Sequence, residues 1–205
     1  MLHLLDLVGV AVFAITGAIA AGQKKMDMFG VMVVATVTAL GGGTIRDLVI
    51  GTSPVFWVSD PVYVVISILA GLGTFIYVYF GEPPLRVLLI ADAFGLAIFT
   101  VIGCQKSSQF HDSVLIIMVM GVMTGVTGGI IRDLLCGQIP LILRREIYAT
   151  ASLTGGTIFV ILRQLRIDDW IVTVASIAAV LALRLSSLRW HLSLPVYRAD
   201  SVRCF

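Results

Sequence analysis

Residues 41–51 read GGGTIRDLVIG, and 86 positions later residues 127–137 read TGGIIRDLLCG, each inside an otherwise apolar stretch. Sliding the chain by 86 aligns residues 6–54 with 92–140 without a gap, and 17 of those 49 positions are identical. The matches pair Asp6 with Asp92, Gly9 with Gly95, Phe13 with Phe99, Gly17 with Gly103 and Thr38 with Thr124. They continue through Gly42-Gly43 with Gly128-Gly129, Arg46-Asp47 with Arg132-Asp133, Gly51 with Gly137 and Pro54 with Pro140. Any fold for this chain has to accommodate two copies of one unit.

The solvent of that fold is set by composition. With 59% hydrophobic residues, 13% charged residues and a mean hydropathy of +1.04, the chain has more apolar surface than one soluble core of 205 residues can hide. A helix crossing about 30 Å of hydrocarbon needs roughly 20 mostly apolar residues. Seven segments meet this: about 4–22, 28–50, 61–80, 86–104, 113–136, 147–165 and 169–188. The connections are short, so residues 1–190 read as a single transmembrane domain and 190–205 as a short tail. Within it the first repeat covers 1–85, the second 86–166 and the seventh helix 167–189. The first segment lacks a basic leader and a small-residue cleavage site, and is read as a retained span. Three helices per unit make the second copy enter from the opposite side. The expected architecture is therefore all-α, a three-plus-three inverted repeat plus one helix.

Cations orient it. With the N-terminus outside, the inner side collects Lys24, Lys25, Arg86, Arg144, Arg145, Arg184, Arg189, Arg198 and Arg203, and the outer side Lys106, Arg163 and Arg166. This bias places the C-terminus in the cytoplasm of a cell-membrane protein, with the cations themselves as topology signals and headgroup contacts. A net charge of +2 without a basic cluster gives no footprint for nucleic acid. Cys104, Cys136 and Cys204 have no metal-ligand or disulfide spacing, and His3, His111 and His191 stand singly. No nucleophile elbow, phosphate loop or dinucleotide fingerprint is present. The residues thus point to no enzyme, no cofactor and no resident metal.

Glycine-interrupted helices in matching positions of two inverted repeats are how transport proteins build a site near mid-membrane. Each glycine costs about 1 kcal/mol relative to alanine in a helix, and a break survives only inside protein or facing water. Gly41, Gly42, Gly43, Gly128 and Gly129 are read as such kinks on the second and fifth spans. Gly121 and Gly125, four apart, are read as close-packing positions. Arg46, Asp47, Arg132 and Asp133 follow the glycines by a turn or less and must face protein or water. Neighbours on a helix point about 100° apart, so the expectation is exchange of partners across the repeat, Arg46 with Asp133 and Arg132 with Asp47. Thr38 and Thr124, about a turn before the glycines, can bond their own backbone or contact a partly dehydrated cation.

A chain of about 200 residues with these two glycine-Arg-Asp motifs and this repeat resembles the prokaryotic branch of the TRIC family, the trimeric intracellular cation channels. The resemblance covers residues 1 to about 190 and is most specific at 41–54 and 127–140. It implies a homotrimer in the lipid bilayer with one pore per protomer, passing monovalent cations, chiefly potassium with sodium beside it, and metal only as ions in transit. Carried onto this sequence, the kinks are Gly41, Gly42 and Gly43 and the triplet Thr127, Gly128 and Gly129, where Thr127 departs from a triple glycine. The polar lining is Thr38, Thr44, Arg46, Asp47, Thr124, Arg132 and Asp133. The same architecture also fits a small amino-acid transporter for glycine. Such a site should offer half-helix N-termini to the carboxylate and a carboxylate or aromatic cage to the ammonium, and the glycine motifs carry no aromatic among them.

Overall fold

The computed structural model describes residues 2–81, 85–144 and 147–190, all helix and connection. In chain order the helices are α1 (Leu2–Gln23), α2 (Met28–Ile50), α3 (Phe56–Ser59), α4 (Val62–Tyr79), α5 (Leu85–Ser107), α6 (Val114–Leu135), α7 (Leu141–Arg144), α8 (Ala149–Gln164) and α9 (Asp169–Trp190). Six of them, α1, α2, α4, α5, α6 and α9, are long and apolar enough to cross a membrane. The chain is thus a helical membrane protein. The expected sixth span, 147–165, corresponds to α8, whose 16 residues rise about 24 Å at 1.5 Å per residue. Arg145, His191, Arg198, Arg203 and Cys204 lie outside the described residues.

Start and stop signals explain the ends of α2 and α6. The Asp27 carboxylate accepts the Gly30 amide at 2.7 Å, capping the N-terminus of α2. Gly51 (φ 82°) and Gly137 (φ 62°) take the left-handed conformation just beyond the two helices, where a Cβ would be strained. In both copies the next amide closes the turn on the same residue type, Thr52 N–H to the Asp47 carbonyl and Gln138 N–H to the Asp133 carbonyl, each at 2.8 Å.

Small residues bring the helices together, because lipid supplies no hydrophobic drive for helix association. A Cβ on Gly17 would lie 2.8 Å from the Ala35 Cα, bringing α1 against α2, and one on Gly103 would lie 2.8 Å from the Met120 carbonyl oxygen, bringing α5 against α6. Gly121 and Gly125 abut the Thr100 and Leu96 carbonyl oxygens of α5, the close packing expected of them. The halves meet through equivalent residues. Phe13 and Phe99 stack on each other with centroids 5.2 Å apart; Gly9 faces Phe99 while Gly95 faces Phe13. Such reciprocal contacts are what a two-fold relation between the halves produces.

Candidate functional site

Where α2 crosses α6, the duplicated glycines remove the side chains between two backbones. A Cβ on Gly42 would run into the Thr124 carbonyl oxygen, and one on Gly128 would lie 2.7 Å from the Thr38 carbonyl oxygen. Both helices run unbroken through their glycines, so in this conformation the glycines serve close approach. Their neighbours look elsewhere: Gly41 faces the Ile131 side chain, Gly43 the Phe56 ring, and Gly129 the Tyr148 hydroxyl. The hydroxyls near the crossing divide by partner. Thr124 Oγ1 donates to the Met120 carbonyl at 2.6 Å, and Thr127 Oγ1 to that of Met123. Thr44 Oγ1 donates to the Leu40 carbonyl at 2.7 Å and accepts from Trp57 Nε1 at 3.0 Å. Thr38 Oγ1, fully buried, has no hydrogen-bond partner among the described residues.

The four charges of the motifs are all buried, but the expected exchange of partners does not occur. Arg46 Nε donates to Asp47 Oδ1 at 2.8 Å and Arg132 Nε to Asp133 Oδ1 at 2.9 Å. Each arginine turns back onto the aspartate that follows it. The guanidinium is long enough to bridge the 100° between neighbours, a reach that counting Cα–Cβ directions leaves out. The second carboxylate oxygen serves the following turn: Asp47 Oδ2 accepts the Phe56 amide at 2.9 Å, at the start of α3, and Asp133 Oδ2 the Leu141 amide at 2.8 Å, at the start of α7. The Arg-Asp pair thus fastens the end of each long helix to the short helix after it.

Two further carboxylates complete the site, and both come from the repeat. Asp6 and Asp92, identical partners in the alignment, are buried on α1 and α5. Around Asp92 the contacts are tight: Arg132 Nη1 donates to Oδ1 at 2.7 Å, Arg184 Nη2 stands 3.9 Å from Oδ2, and both arginines are fully buried. Arg184 also lies over the Tyr148 ring, 4.5 Å from its centroid. Around Asp6 they are loose: Lys106 Nζ stands 3.6 Å from Oδ2 and the Tyr63 hydroxyl donates to it at 3.4 Å. Tyr63 in turn bonds His3 Nδ1 at 3.0 Å. Two cations stand over the Phe56 ring, with Arg46 Cζ and Lys106 Nζ each 5.5 Å from its centroid.

Each cluster therefore holds two carboxylates and two cations, and in each the fourth charge comes from outside the corresponding stretch of chain, 1–85 for the first and 86–166 for the second. Lys106 reaches the first cluster from α5, and Arg184 reaches the second from α9. This corrects the reading of both as headgroup contacts. Asp6 and Asp92 were visible as identities in the repeat. Arg184 carried a signal too, since it lies six residues, about 9 Å, inside the end of α9. Nothing in the sequence marked Tyr63 or Tyr148.

A family described as glycine transporter matches the chain twice, over residues 3–79 and 89–164. Among curated relatives, the UPF0126 inner membrane protein YadS of Escherichia coli is 44% identical over 211 residues, covering 98% of this chain and 98% of that protein. A UPF0126 membrane protein of Vibrio cholerae is 44% identical over 201 residues, covering 96% and 83%. Among solved structures, the TRIC trimeric intracellular cation channel orthologue from Rhodobacter sphaeroides is 42% identical with a TM-score of 0.90, covering 93% of this chain and 98% of that one. A second TRIC cation channel, whose structure addresses conductance, is 34% identical with a TM-score of 0.88, covering 98% of both chains. The chain belongs to this family of helical membrane proteins, the glycine-transporter or UPF0126 family, and it has the TRIC channel fold.

Proposed function

We propose that the protein is a monovalent cation channel, chiefly for potassium, assembled as a homotrimer in the inner membrane with one pore in each protomer. What carries the reading is the meeting of α2 and α6 at duplicated glycines, beside buried charges and hydroxyls, in a fold shared at 42% identity with a TRIC channel. The pore follows the seam of these two helices. It takes its polar lining from Thr38, Thr44, Arg46, Asp47, Thr124, Arg132 and Asp133. Because Gly42 and Gly128 touch backbone across the seam, conduction requires the helices to part there, and Gly41, Gly42 and Gly43 with Thr127, Gly128 and Gly129 are where they bend. The inverted arrangement has the N-terminus outside and the C-terminus in the cytoplasm. Pairing each arginine with a carboxylate keeps its charge from repelling the ion, which at about 4 Å and an effective dielectric near 20 would cost roughly 4 kcal/mol.

Single-channel recording of the purified protein in planar bilayers tests this. The expected result is unitary cation currents, with reversal potentials in asymmetric KCl near that of a cation-selective pore. Thr38→Val should lower the conductance more than Thr124→Val, because only the Thr124 hydroxyl is already held by its own helix. Saturable glycine uptake into proteoliposomes without unitary currents would replace this reading with a transporter.

A further inference from the structure

The two charge clusters occupy equivalent positions but are not equally closed. Asp92 Oδ1 is held by Arg132 Nη1 at 2.7 Å, Arg184 Nη2 stands 3.9 Å from its Oδ2, and all three side chains have no exposed surface. Asp6 has no such lock. Among the described residues Arg46 forms its ion pair with Asp47 and none with Asp6. Asp6 is 3% exposed, and among the described residues its Oδ1 has no hydrogen-bond partner. Asp92 Oδ2 has none either, but Asp92 Oδ1 is held at 2.7 Å by Arg132, a contact that Asp6 lacks. Asp6 Oδ2 has the 3.6 Å contact to Lys106 and the 3.4 Å bond from Tyr63. A buried carboxylate oxygen without a partner is costly unless something else satisfies it.

Charge and chemistry say what that is. With Lys106 in place the first cluster sums to zero: Asp6 and Asp47 against Arg46 and Lys106. When the ammonium withdraws, the cluster is left with one negative charge, which one monovalent cation restores. A guanidinium is held by a planar fork of donors, whereas an ammonium is a compact point charge on a flexible stem. The Lys106 side chain is also 30% exposed, so it has a route out. We propose that Asp6 is a binding position for a monovalent cation, and that the Lys106 ammonium is the tethered cation occupying it in the ion's absence. Asp6 supplies both carboxylate oxygens and Tyr63 its hydroxyl, with water completing the shell. The Phe56 ring, which faces the ammonium, gives the withdrawn lysine an aromatic surface to return across. The proposal rests on the channel reading and names an ion contact outside the α2–α6 seam.

Two measurements on the full-length protein test it. Lys106→Met removes the charge and keeps the stem. It should lower the potassium concentration for half-maximal conductance about tenfold, the scale expected when a competing charge leaves ion-pair distance. It should also give thallium anomalous density beside Asp6 in crystals, and Asp6→Asn on that background should remove both effects. Lys106→Arg should act oppositely, lowering conductance and excluding thallium, and serves where the Met variant does not fold. Unaltered saturation with no thallium at Asp6 in Lys106→Met overturns the proposal, as does thallium bound equally in the Arg variant. If the wild-type protein passes no cation, the channel reading fails instead. Thallium binding to Lys106→Met then still decides the site.

Discussion

Replacing Asp92 with Asn keeps the shape of the side chain and removes one charge from the more enclosed of the two clusters. Arg132 loses the ionic partner at 2.7 Å, keeping at most a neutral amide oxygen there, and Arg184 loses the one at 3.9 Å. Arg132 retains Asp133 and Arg184 retains the Tyr148 ring, yet the cluster now carries one uncompensated positive charge with no exposed surface. Breaking a buried ion pair by removing one partner costs about 3–5 kcal/mol. The remaining contacts put Asp92→Asn near the lower end, about 3 kcal/mol, or roughly two powers of ten in the folded population at 1.36 kcal/mol per power of ten. Asp6→Asn frees Lys106, whose partly exposed side chain can reach water, and should cost about 1 kcal/mol or less. The assay is a temperature ramp of the purified protein in detergent, followed by helicity and by the fraction eluting as intact oligomer. Asp92→Asn should melt well below wild type and Asp6→Asn close to it. Adding Arg184→Met to Asp92→Asn restores neutrality and should recover part of the loss. If Asp92→Asn melts with wild type, or if Asp6→Asn loses as much, the argument that the two clusters are unequally locked is wrong.

Because each arginine pairs with the aspartate next to it, Arg46→Gln combined with Asp47→Asn should be milder than the sum of the single changes, by about 0.5–3 kcal/mol. Arg46→Gln combined with Asp133→Asn should be additive in the same melting assay. Gly128→Ala puts a methyl 2.7 Å from the Thr38 carbonyl oxygen and 3.0 Å from the Phe13 ring, and should cost about 1–3 kcal/mol as an overpacked contact. Gly73→Ala on α4, with nothing within 4 Å, should leave the melting temperature unchanged or raise it.

What was legible in the sequence followed from constraints that act on every residue of a segment. Hydrocarbon thickness forces span length, so residues 28–50 coincide with α2 and 169–188 fall within α9. Duplication made the glycine and Arg-Asp positions stand out: the glycines do meet where α2 crosses α6, and the two Arg-Asp pairs are buried, each within its own cluster. Partner choice was not legible, because it depends on side-chain reach and on helices far apart in sequence. Adjacent Arg46 and Asp47 look badly aimed as Cα–Cβ vectors, yet a guanidinium curls back over the helix end. Lys106 and Arg184 count as surface cations by the rule that reads topology, which scores where a charge lies along the chain and not which carboxylate waits inside. The bounds of α8 differ from the expected 147–165 by three residues, because Ile147, Tyr148 and Leu165 are apolar residues that flank the helix and hydropathy does not separate a helix from its flanks.

That each cluster borrows its fourth charge has a consequence for biogenesis. When α1, α2 and α4 have been synthesised, their shared interior holds Asp6, Asp47 and Arg46, one positive charge short. It stays so until Lys106 arrives at the far end of α5, some 25 residues beyond Gly81. The second unit spends that lysine on the first, and so waits in turn for Arg184, 78 residues later. The leading helices are thus left electrically unfinished by their own sequence and are completed only by what the ribosome adds afterwards. A nascent chain stopped between the two would present the membrane's quality-control proteases with a buried carboxylate in search of its cation.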